Sequence, residues 1–351
     1  MRYIFQLFFS SRHAFINMSS KLAFFSFLLV VTGANRSIPT RLVSNPFPQK
    51  PLIILDSDIG KDADDAGAQA ILLELVNRGE AKILAMMYPM KDEWGAPTLD
   101  VINTFYGQPA IPIGTYKGNY TYHGSHDDYY RSYLVNHFPN DLRTGRNAPD
   151  AIQLYRQVLT QQPDHSVTIV VVGPLRLAQD LINSPPDHIS RKTGYELVKT
   201  KVRELVIMGG AFPSALTAEW NVRLCPEAAR YIATKWPTPI MYSGFEVGLP
   251  IRTGERLMSE ADSLNPVRQA YAINPQSDSL KNRPSWDQTC VLYAVRGLGM
   301  SWRANTVGSN YVYPSGLNEW RMFPDKQQGY LVNRVPASAL KKTIEDLMIH
   351  H

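Results

Sequence analysis

The sequence of 351 residues carries 36 basic and 31 acidic side chains, which gives a formal net charge of +5. Six of the basic residues stand before residue 51, in a stretch that has no acidic residue. Removing those six leaves 30 basic against 31 acidic residues, a net charge of −1 for the remainder. Binding to nucleic acid is therefore not expected, because it needs a surplus of clustered cations. With 44% hydrophobic and 19% charged residues, the chain can bury a large core and is not disordered.

The first 50 residues have the pattern of a targeting segment followed by a linker. Residues 22–31 (LAFFSFLLVV) form an apolar run between a lysine and three small residues, the order of a secretory signal peptide. The run is shorter than the about 20 residues that span a membrane. We therefore expect a signal peptide over residues 1–34, with Met18 as a possible start, and a linker over residues 35–50. Export, into the medium or a periplasm, is favoured over an uncleaved N-terminal anchor or an organelle transit peptide, and no stable membrane insertion is expected after processing.

From residue 51 onward, short apolar runs alternate with amphipathic stretches, as in repeated strand–helix units. The predicted strands are Leu52–Leu55, Ile83–Tyr88, Val167–Val172, Glu204–Met208 and Ile240–Tyr242. The predicted helices are Ala66–Arg78, Pro97–Tyr106, Asp150–Gln161, Leu175–Ile182, Pro226–Lys235 and Asp287–Arg296. Because the strands are continuously apolar, we expect an α/β fold, a single domain over residues 51–335 whose mostly parallel central sheet is flanked by helices. Residues 336–351 are expected to form a C-terminal tail.

Five aspartates follow the first predicted strand within ten positions. Carboxylates packed so closely repel one another unless a cation or the start of a helix offsets their charge. No His or Cys lies nearby in the sequence, so Ca²⁺ or Mg²⁺ fits better than zinc. Helix capping explains one or two such residues but not five, which favours a metal site. The five are Asp56, Asp58, Asp62, Asp64 and Asp65.

The pattern of these residues, D-x-D-x-G-x-D-x-D-D, resembles the N-terminal signature of the nucleoside hydrolases, the inosine-uridine preferring family. The resemblance implies a Rossmann-like nucleoside hydrolase fold and a Ca²⁺-dependent enzyme that hydrolyses the N-glycosidic bond of ribonucleosides to ribose and free base. It also implies that Asp58 binds the metal and acts as general base, that Asp65 binds the metal, and that Asp64 faces a ribose hydroxyl. This signature is two residues longer than the commoner form in the family. The match of Asp62 or Asp64 to the ribose-facing position therefore stays open.

Two later segments resemble further landmarks of the same family. In TIVVVGPLRLAQDLI, the carbonyl of Val172 stands where the family binds calcium, although Arg176 and Leu177 replace the usual Thr-Asn. In LVIMGGAFPSALTAEWNVRLCPEAARYI, Glu219 and Asn221 fall where the family binds the ribose. The Glu carboxylate accepts hydrogen bonds and the Asn amide can both donate and accept them, which suits binding of the 3′ and 5′ hydroxyls of the ribose.

The segment RPSWDQTCVLYAVRGL supplies the last part of the resemblance. Asp287 takes the role of the aspartate that completes the metal site; its place downstream of the other ligands favours this role over capping of a helix. Trp286 stands in the substrate site where some members have a His that helps to protonate the leaving base, which an indole cannot do. His123, in a His-Gly pair within a tyrosine-rich loop, resembles an active-site His of the family and is a candidate catalytic residue.

Two other functions remain open at this point. A haloacid dehalogenase-type phosphatase also has D-x-D after its first strand, but it wants Thr or Val where Gly60 stands. A non-catalytic ribonucleoside-binding homologue would fit the departures at Arg176, Leu177 and Trp286. The partner expected from the resemblance is a small-molecule ribonucleoside, and the family is often oligomeric, so a homo-oligomer is possible.

Overall fold

A computed structural model describes residues 50–123, 127–323 and 326–349. The predicted signal peptide and the linker up to residue 49 lie outside these described residues. The strands are β1 Leu52–Asp56, β2 Lys82–Tyr88, β3 Ile113–Thr115, β4 Val167–Val171, β5 Val202–Met208, β6 Ile240–Ser243, β7 Arg252–Thr253, β8 Arg283–Pro284, β9 Trp302–Asn305, β10 Ser309–Val312, β11 Asn318–Arg321 and β12 Gln328–Asn333. The α-helices are α1 Asp64–Asn77, α2 Gly95–Phe105, α3 Arg131–His137, α4 Ala151–Thr160, α5 Arg176–Asn183, α6 Gly194–Lys201, α7 Trp220–Leu224, α8 Pro226–Lys235, α9 Phe245–Gly248, α10 Glu255–Glu260, α11 Pro266–Ile273, α12 Trp286–Arg296 and α13 Ala337–Ile349, and a 3₁₀ turn covers Gly145–Asn147.

Eight strands form the central sheet in the order β3-β2-β1-β4-β5-β6-β12-β9. Every neighbouring pair is parallel except β12 and β9, which run antiparallel. The chain moves outward from β1 to β3 and then returns to the other side of β1 with β4. This change of direction opens a crevice beyond the carboxyl ends of β1 and β4, which is where ligands bind in such sheets.

Apolar side chains cover both faces of the sheet, in two clusters of buried residues. Helix α1 is buried from Asp64 to Leu75, because it packs against the sheet, α12 and α13. A helix buried on so many sides needs apolar or internally bonded residues all round. Gln69 meets this need by donating hydrogen bonds to Leu99 O at 2.8 Å and to Asn103 Oδ1 at 2.9 Å.

The five predicted strands and six predicted helices are all present, with ends shifted by no more than two residues. The predicted C-terminal tail differs: it contains α13, whose side chains Leu340, Ile344 and Leu347 are buried in the core. These residues belong to the folded unit because they cover α1. Among the helices in the described part of the chain, none is both long and apolar enough to cross a membrane.

Candidate active site

The aspartates of the loop between β1 and α1 lie in different environments. Asp56 is buried at the end of β1 and accepts a hydrogen bond from Tyr155 at 3.2 Å. Asp62 turns toward the Arg283 guanidinium, whose Nε donates to it at 2.8 Å. Asp64 instead begins α1 and faces the cavity. Asp62 and Asp64 both line the cavity, and Asp62 does so while paired with the Arg283 guanidinium.

Asp64, Asp65 and Asp287 bring one carboxylate oxygen each to within 4.8 Å of the others, and all three side chains are buried. Ser57 donates a hydrogen bond to Asp65 at 2.7 Å, and the backbone N–H of Asp287 donates to Asp64 at 3.3 Å. Burial, followed by mutual repulsion, raises the pKa of all three carboxyls well above their usual range. Such a cluster is costly without a cation.

The donor set of this cluster fits a hard divalent cation. Arg283 is the cation that acts on Asp64, and its guanidinium is already paired with Asp62. Three buried carboxylates with no cation of their own match the oxygen ligands that Ca²⁺ takes. Asp64, for which the family resemblance implies contact with a ribose hydroxyl, has its carboxylate beside Asp65 and Asp287 and lines the cavity.

Asp58 and Val172 lie at the adjoining strand ends, where β1 and β4 run side by side. The Val172 N–H donates to the Asp56 carbonyl at 2.8 Å, which extends the parallel pairing. A β-carbon at Gly173 would lie 2.8 Å from a carboxylate oxygen of Asp58, so the glycine makes room for that carboxylate. Burial raises the pKa of Asp58 to about 7, and the charges of Glu219 and Asp62 act in the same direction.

Glu219 and Asn221 line the same cavity at the start of α7. The Glu219 carboxylate caps this helix, accepting hydrogen bonds from the backbone of Asn221 and Val222 at 3.1 and 3.2 Å. The Asn221 amide donates to the carbonyls of Val172 at 2.9 Å and Met208 at 3.2 Å. Both side chains are therefore held in fixed positions beside the acidic cluster.

Trp286 forms part of the cavity wall. Its indole N–H donates to the Phe245 carbonyl at 2.9 Å, and the two rings stack with centroids 5.2 Å apart. Because its only donor is already bonded within the protein, the indole offers the substrate an aromatic surface and no proton.

His123 is not brought to the cavity. Its side chain is exposed, its backbone N–H donates to the Leu224 carbonyl at 3.0 Å, and its ring lies 6.5 Å from that of Tyr120. His123 is therefore not among the predicted site residues that the structure brings together at the cavity. The cause is the path of the loop, which places His123 beside α7 and α8 on the outer side of the site.

Arg176 and Leu177, which replace the Thr-Asn pair usual in the family, are also not among the residues that line the cavity. Arg176 pairs with Asp180 one turn along α5, at 2.9 Å, and its guanidinium lies over the Tyr120 ring at 4.7 Å. Leu177 is fully buried in the core. These two substitutions therefore change local packing without removing a side chain from the site.

The cavity has a volume of about 870 Å³ and includes residues that sequence reasoning missed. Trp220 lies between Glu219 and Asn221, the two predicted ribose-binding residues. Phe245 and Glu246 come just after β6, so the rule that sites form beyond strand ends could have found them. Other charged or aromatic lining residues that were not predicted are Lys61, Phe212, Arg223 and Arg283.

Residues 53–308 match the family model described as inosine-uridine preferring nucleoside hydrolase. The chain belongs to this family of nucleoside hydrolases. As a member it is an N-glycosyl hydrolase that acts on ribonucleosides, and neither the phosphatase nor the non-catalytic alternative is favoured. No curated protein matches the chain in sequence.

Solved structures share the fold of this nucleoside hydrolase at low sequence identity. A plant nucleoside hydrolase is 20% identical with a TM-score of 0.63, over 86% of this chain and 100% of its own. A purine-preferring ribonucleoside hydrolase from Gardnerella vaginalis is 15% identical with a TM-score of 0.65, over 85% and 98% of the two chains. An inosine-uridine preferring nucleoside hydrolase from Bacillus anthracis is 15% identical with a TM-score of 0.63, over 86% and 99%.

Proposed function

We propose that this nucleoside hydrolase cleaves the N-glycosidic bond of ribonucleosides in a Ca²⁺-dependent reaction, with Asp58 as general base. One observation carries the proposal: the buried Asp64–Asp65–Asp287 cluster opens into the cavity that Asp58, Glu219 and Asn221 also line. The residues that we propose as metal ligands, base and sugar-binding groups therefore share one space.

The residues that would hold the ion are Asp58, Asp65, Asp287 and the carbonyl of Val172, with Asp64 as a further carboxylate beside them. Their oxygens suit calcium, which takes six to eight oxygen ligands. When bound, calcium supplies positive charge that offsets the carboxylates and favours ionisation of a water molecule.

Asp58 has the position and the chemistry of the base. Its buried carboxylate lines the cavity just after the end of β1, within the space that the proposed metal ligands share. It would accept the proton of the water that attacks the anomeric carbon. The neighbouring carboxylates would stabilise the positive charge that develops on the ribose in an oxocarbenium-like transition state.

Glu219 and Asn221 would orient the sugar. Both are fixed by bonds to the backbone, so they lose little freedom when the ribose hydroxyls bind. Holding the reacting carbon in place in this way converts binding energy into rate.

The test is release of reducing sugar from inosine and uridine, measured with Ca²⁺ and with excess chelator. Asp58→Asn should lower the rate by about 10²- to 10⁴-fold while the circular dichroism and melting temperature stay near the wild-type values. Asp180→Asn, outside the cavity, is the matched control. Equal turnover by wild type and Asp58→Asn would remove the general-base assignment, and equal turnover in chelator would remove the calcium dependence.

A further inference from the structure

Three of the side chains that often protonate a departing base, His, Tyr and Cys, are absent from the described residues that line this cavity. Of the other possible donors, Lys61 already lies 3.4 Å from Asp127, and the carboxyl groups are crowded around the proposed metal site. Trp286 takes the position of the family's His, and its N–H is bonded to the Phe245 carbonyl. A neutral purine or pyrimidine leaves as a poor anion unless it receives a proton. This site therefore favours a base that leaves without one.

The cavity also has an excess of negative charge. Seven carboxylates line it against three cationic side chains, so negative charges remain in excess even after a divalent ion is counted. The carboxylates belong to Asp58, Asp62, Asp64, Asp65, Glu219, Glu246 and Asp287. The cationic side chains have partners of their own: Arg283 pairs with Asp62, and Lys61 lies 3.4 Å from Asp127. The excess of carboxylates and the pairing of these cations within the protein both oppose an anionic ligand and favour a cationic one.

Aromatic rings supply the surface that a flat cation needs. Phe245 is 39% exposed and stacks on Trp286 at the cavity wall, and Phe212 and Trp220 line the same space. The Trp220 ring already has two cations over it, Lys61 Nζ at 4.2 Å and Arg223 Cζ at 4.4 Å. Ring faces of this kind attract positive charge.

Glu246 places a carboxylate next to these rings. It follows Phe245 directly, and one oxygen accepts a hydrogen bond from the Phe212 N–H at 3.0 Å. The other oxygen has no hydrogen-bond partner among the described residues, and it is buried. A buried carboxylate oxygen without a donor is a costly arrangement that a bound cation would relieve.

From these observations we propose that the preferred substrate is a ribonucleoside whose base carries a fixed positive charge, an N-ribosylpyridinium of the nicotinamide type, with the Glu246 carboxylate in the cavity wall near the charged ring. This substrate class rests on the proposed function, because the same Asp58 accepts the water proton. Water adds to the anomeric carbon, and the bond from that carbon to the ring nitrogen breaks. The bonding electron pair passes to the nitrogen and cancels its charge, so a neutral pyridine base and ribose are formed without a proton donor.

The experiment compares kcat/KM for 1-ribosylnicotinamide, inosine, uridine and 4-nitrophenyl riboside in the full chain with Ca²⁺. The last compound is neutral but also leaves without protonation, so it separates the effect of charge from that of leaving-group reactivity. We expect 1-ribosylnicotinamide to exceed each neutral substrate by at least about tenfold. A kcat/KM for inosine, uridine or 4-nitrophenyl riboside equal to or above that for 1-ribosylnicotinamide would overturn the proposal.

Glu246→Gln tests the carboxylate, with Glu255→Gln on exposed α10 as the matched control. Glu246→Gln should lower kcat/KM for 1-ribosylnicotinamide about tenfold more than kcat/KM for 4-nitrophenyl riboside. If the variant instead loses inosine hydrolysis and keeps that of 1-ribosylnicotinamide, Glu246 is a proton donor and the proposal is wrong.

Binding separates this proposal from the proposed function. In Asp58→Asn, titration calorimetry should give a tighter Kd for 1-ribosylnicotinamide than for inosine. If wild type hydrolyses neither compound but the cation still binds more tightly, the hydrolytic function fails and the ligand class stands. If both compounds bind equally, the ligand class fails whatever the turnover.

Discussion

Gly173 lies against Asp58 so closely that a β-carbon at position 173 would be 2.8 Å from the Asp58 carboxylate oxygen. The glycine follows β4, and Asp58 follows β1, so the contact joins two neighbouring strand ends. The Asp58 carboxylate can occupy its position because residue 173 has no side chain.

Gly173→Ala should therefore displace Asp58 and lower kcat by about 10- to 100-fold, since a shift near 1 Å has that effect on catalysis. Stability should fall by about 1–3 kcal/mol through overpacking. Gly209→Ala is the control, because its β-carbon would come no closer than 3.3 Å to an Ile207 methyl. Steady-state assays and urea denaturation of both variants measure these effects. A Gly173→Ala enzyme as active as Gly209→Ala would show that Asp58 does not depend on this space.

The stabilisation by Ca²⁺ should grow with pH. The pKa of Asp58 is raised to about 7 and those of Asp64, Asp65 and Asp287 are also raised. Between about pH 4 and 7, the metal-free folded protein therefore holds protons that the unfolded chain has released, and its stability falls as pH rises. Calcium needs the ionised carboxylates, so the gain in Tm that it gives should be small at pH 5 and large at pH 8.

Calorimetry with Ca²⁺ or chelator, at constant ionic strength, measures this gain. Asp287→Asn should reduce the gain at pH 8, because it removes one carboxylate of the cluster. A gain that is equal at both pH values would contradict the assignment of these carboxylates to the metal.

Arg283→Met should destabilise the protein by about 1–3 kcal/mol, because it leaves Asp62 partly buried without its cation. The double variant Arg283→Met with Asp62→Asn should recover part of that loss, since no unpaired charge remains. Urea denaturation of wild type, both single variants and the double variant gives the coupling energy. Additive effects of the two substitutions would show that the pair is not coupled.

Trp286→His should raise kcat/KM for inosine by at least about tenfold, because it places an imidazole at the cavity wall. Trp286→Phe keeps an aromatic ring without a donor and should give no such gain. The gain should be absent with 4-nitrophenyl riboside, which needs no proton. If Phe and His raise inosine hydrolysis equally, the indole limits the rate by its size and not by its chemistry.

The sequence predicted the parts of the fold and site that depend on local pattern. The strands β1, β2, β4, β5 and β6 were predicted because each contains a run of at least three buried apolar residues. Strand β12 was missed because half of its six residues carry polar side chains or none: Gln328, Gly329 and Asn333. Its place between β6 and β9 is set by tertiary pairing.

Long-range partners account for the features of the site that the sequence could not predict. Asp62 is paired with Arg283, which lies 221 residues further along the chain. His123 matched a family pattern, but the path of its loop took it out of the cavity. No feature of the local sequence records either relationship.

Helix α13, formed by the last described residues, packs against the helix that carries part of the acidic cluster. It packs on α1, which begins with Asp64 and Asp65, and the Tyr106 hydroxyl donates to its Met348 carbonyl at 3.1 Å. During synthesis, a nascent chain that ends before residue 337 already contains every residue of the site but leaves one side of α1 in water. Catalytic competence should therefore arise late, when α13 emerges, and a protease that removes α13 should silence the enzyme without touching a residue of the site.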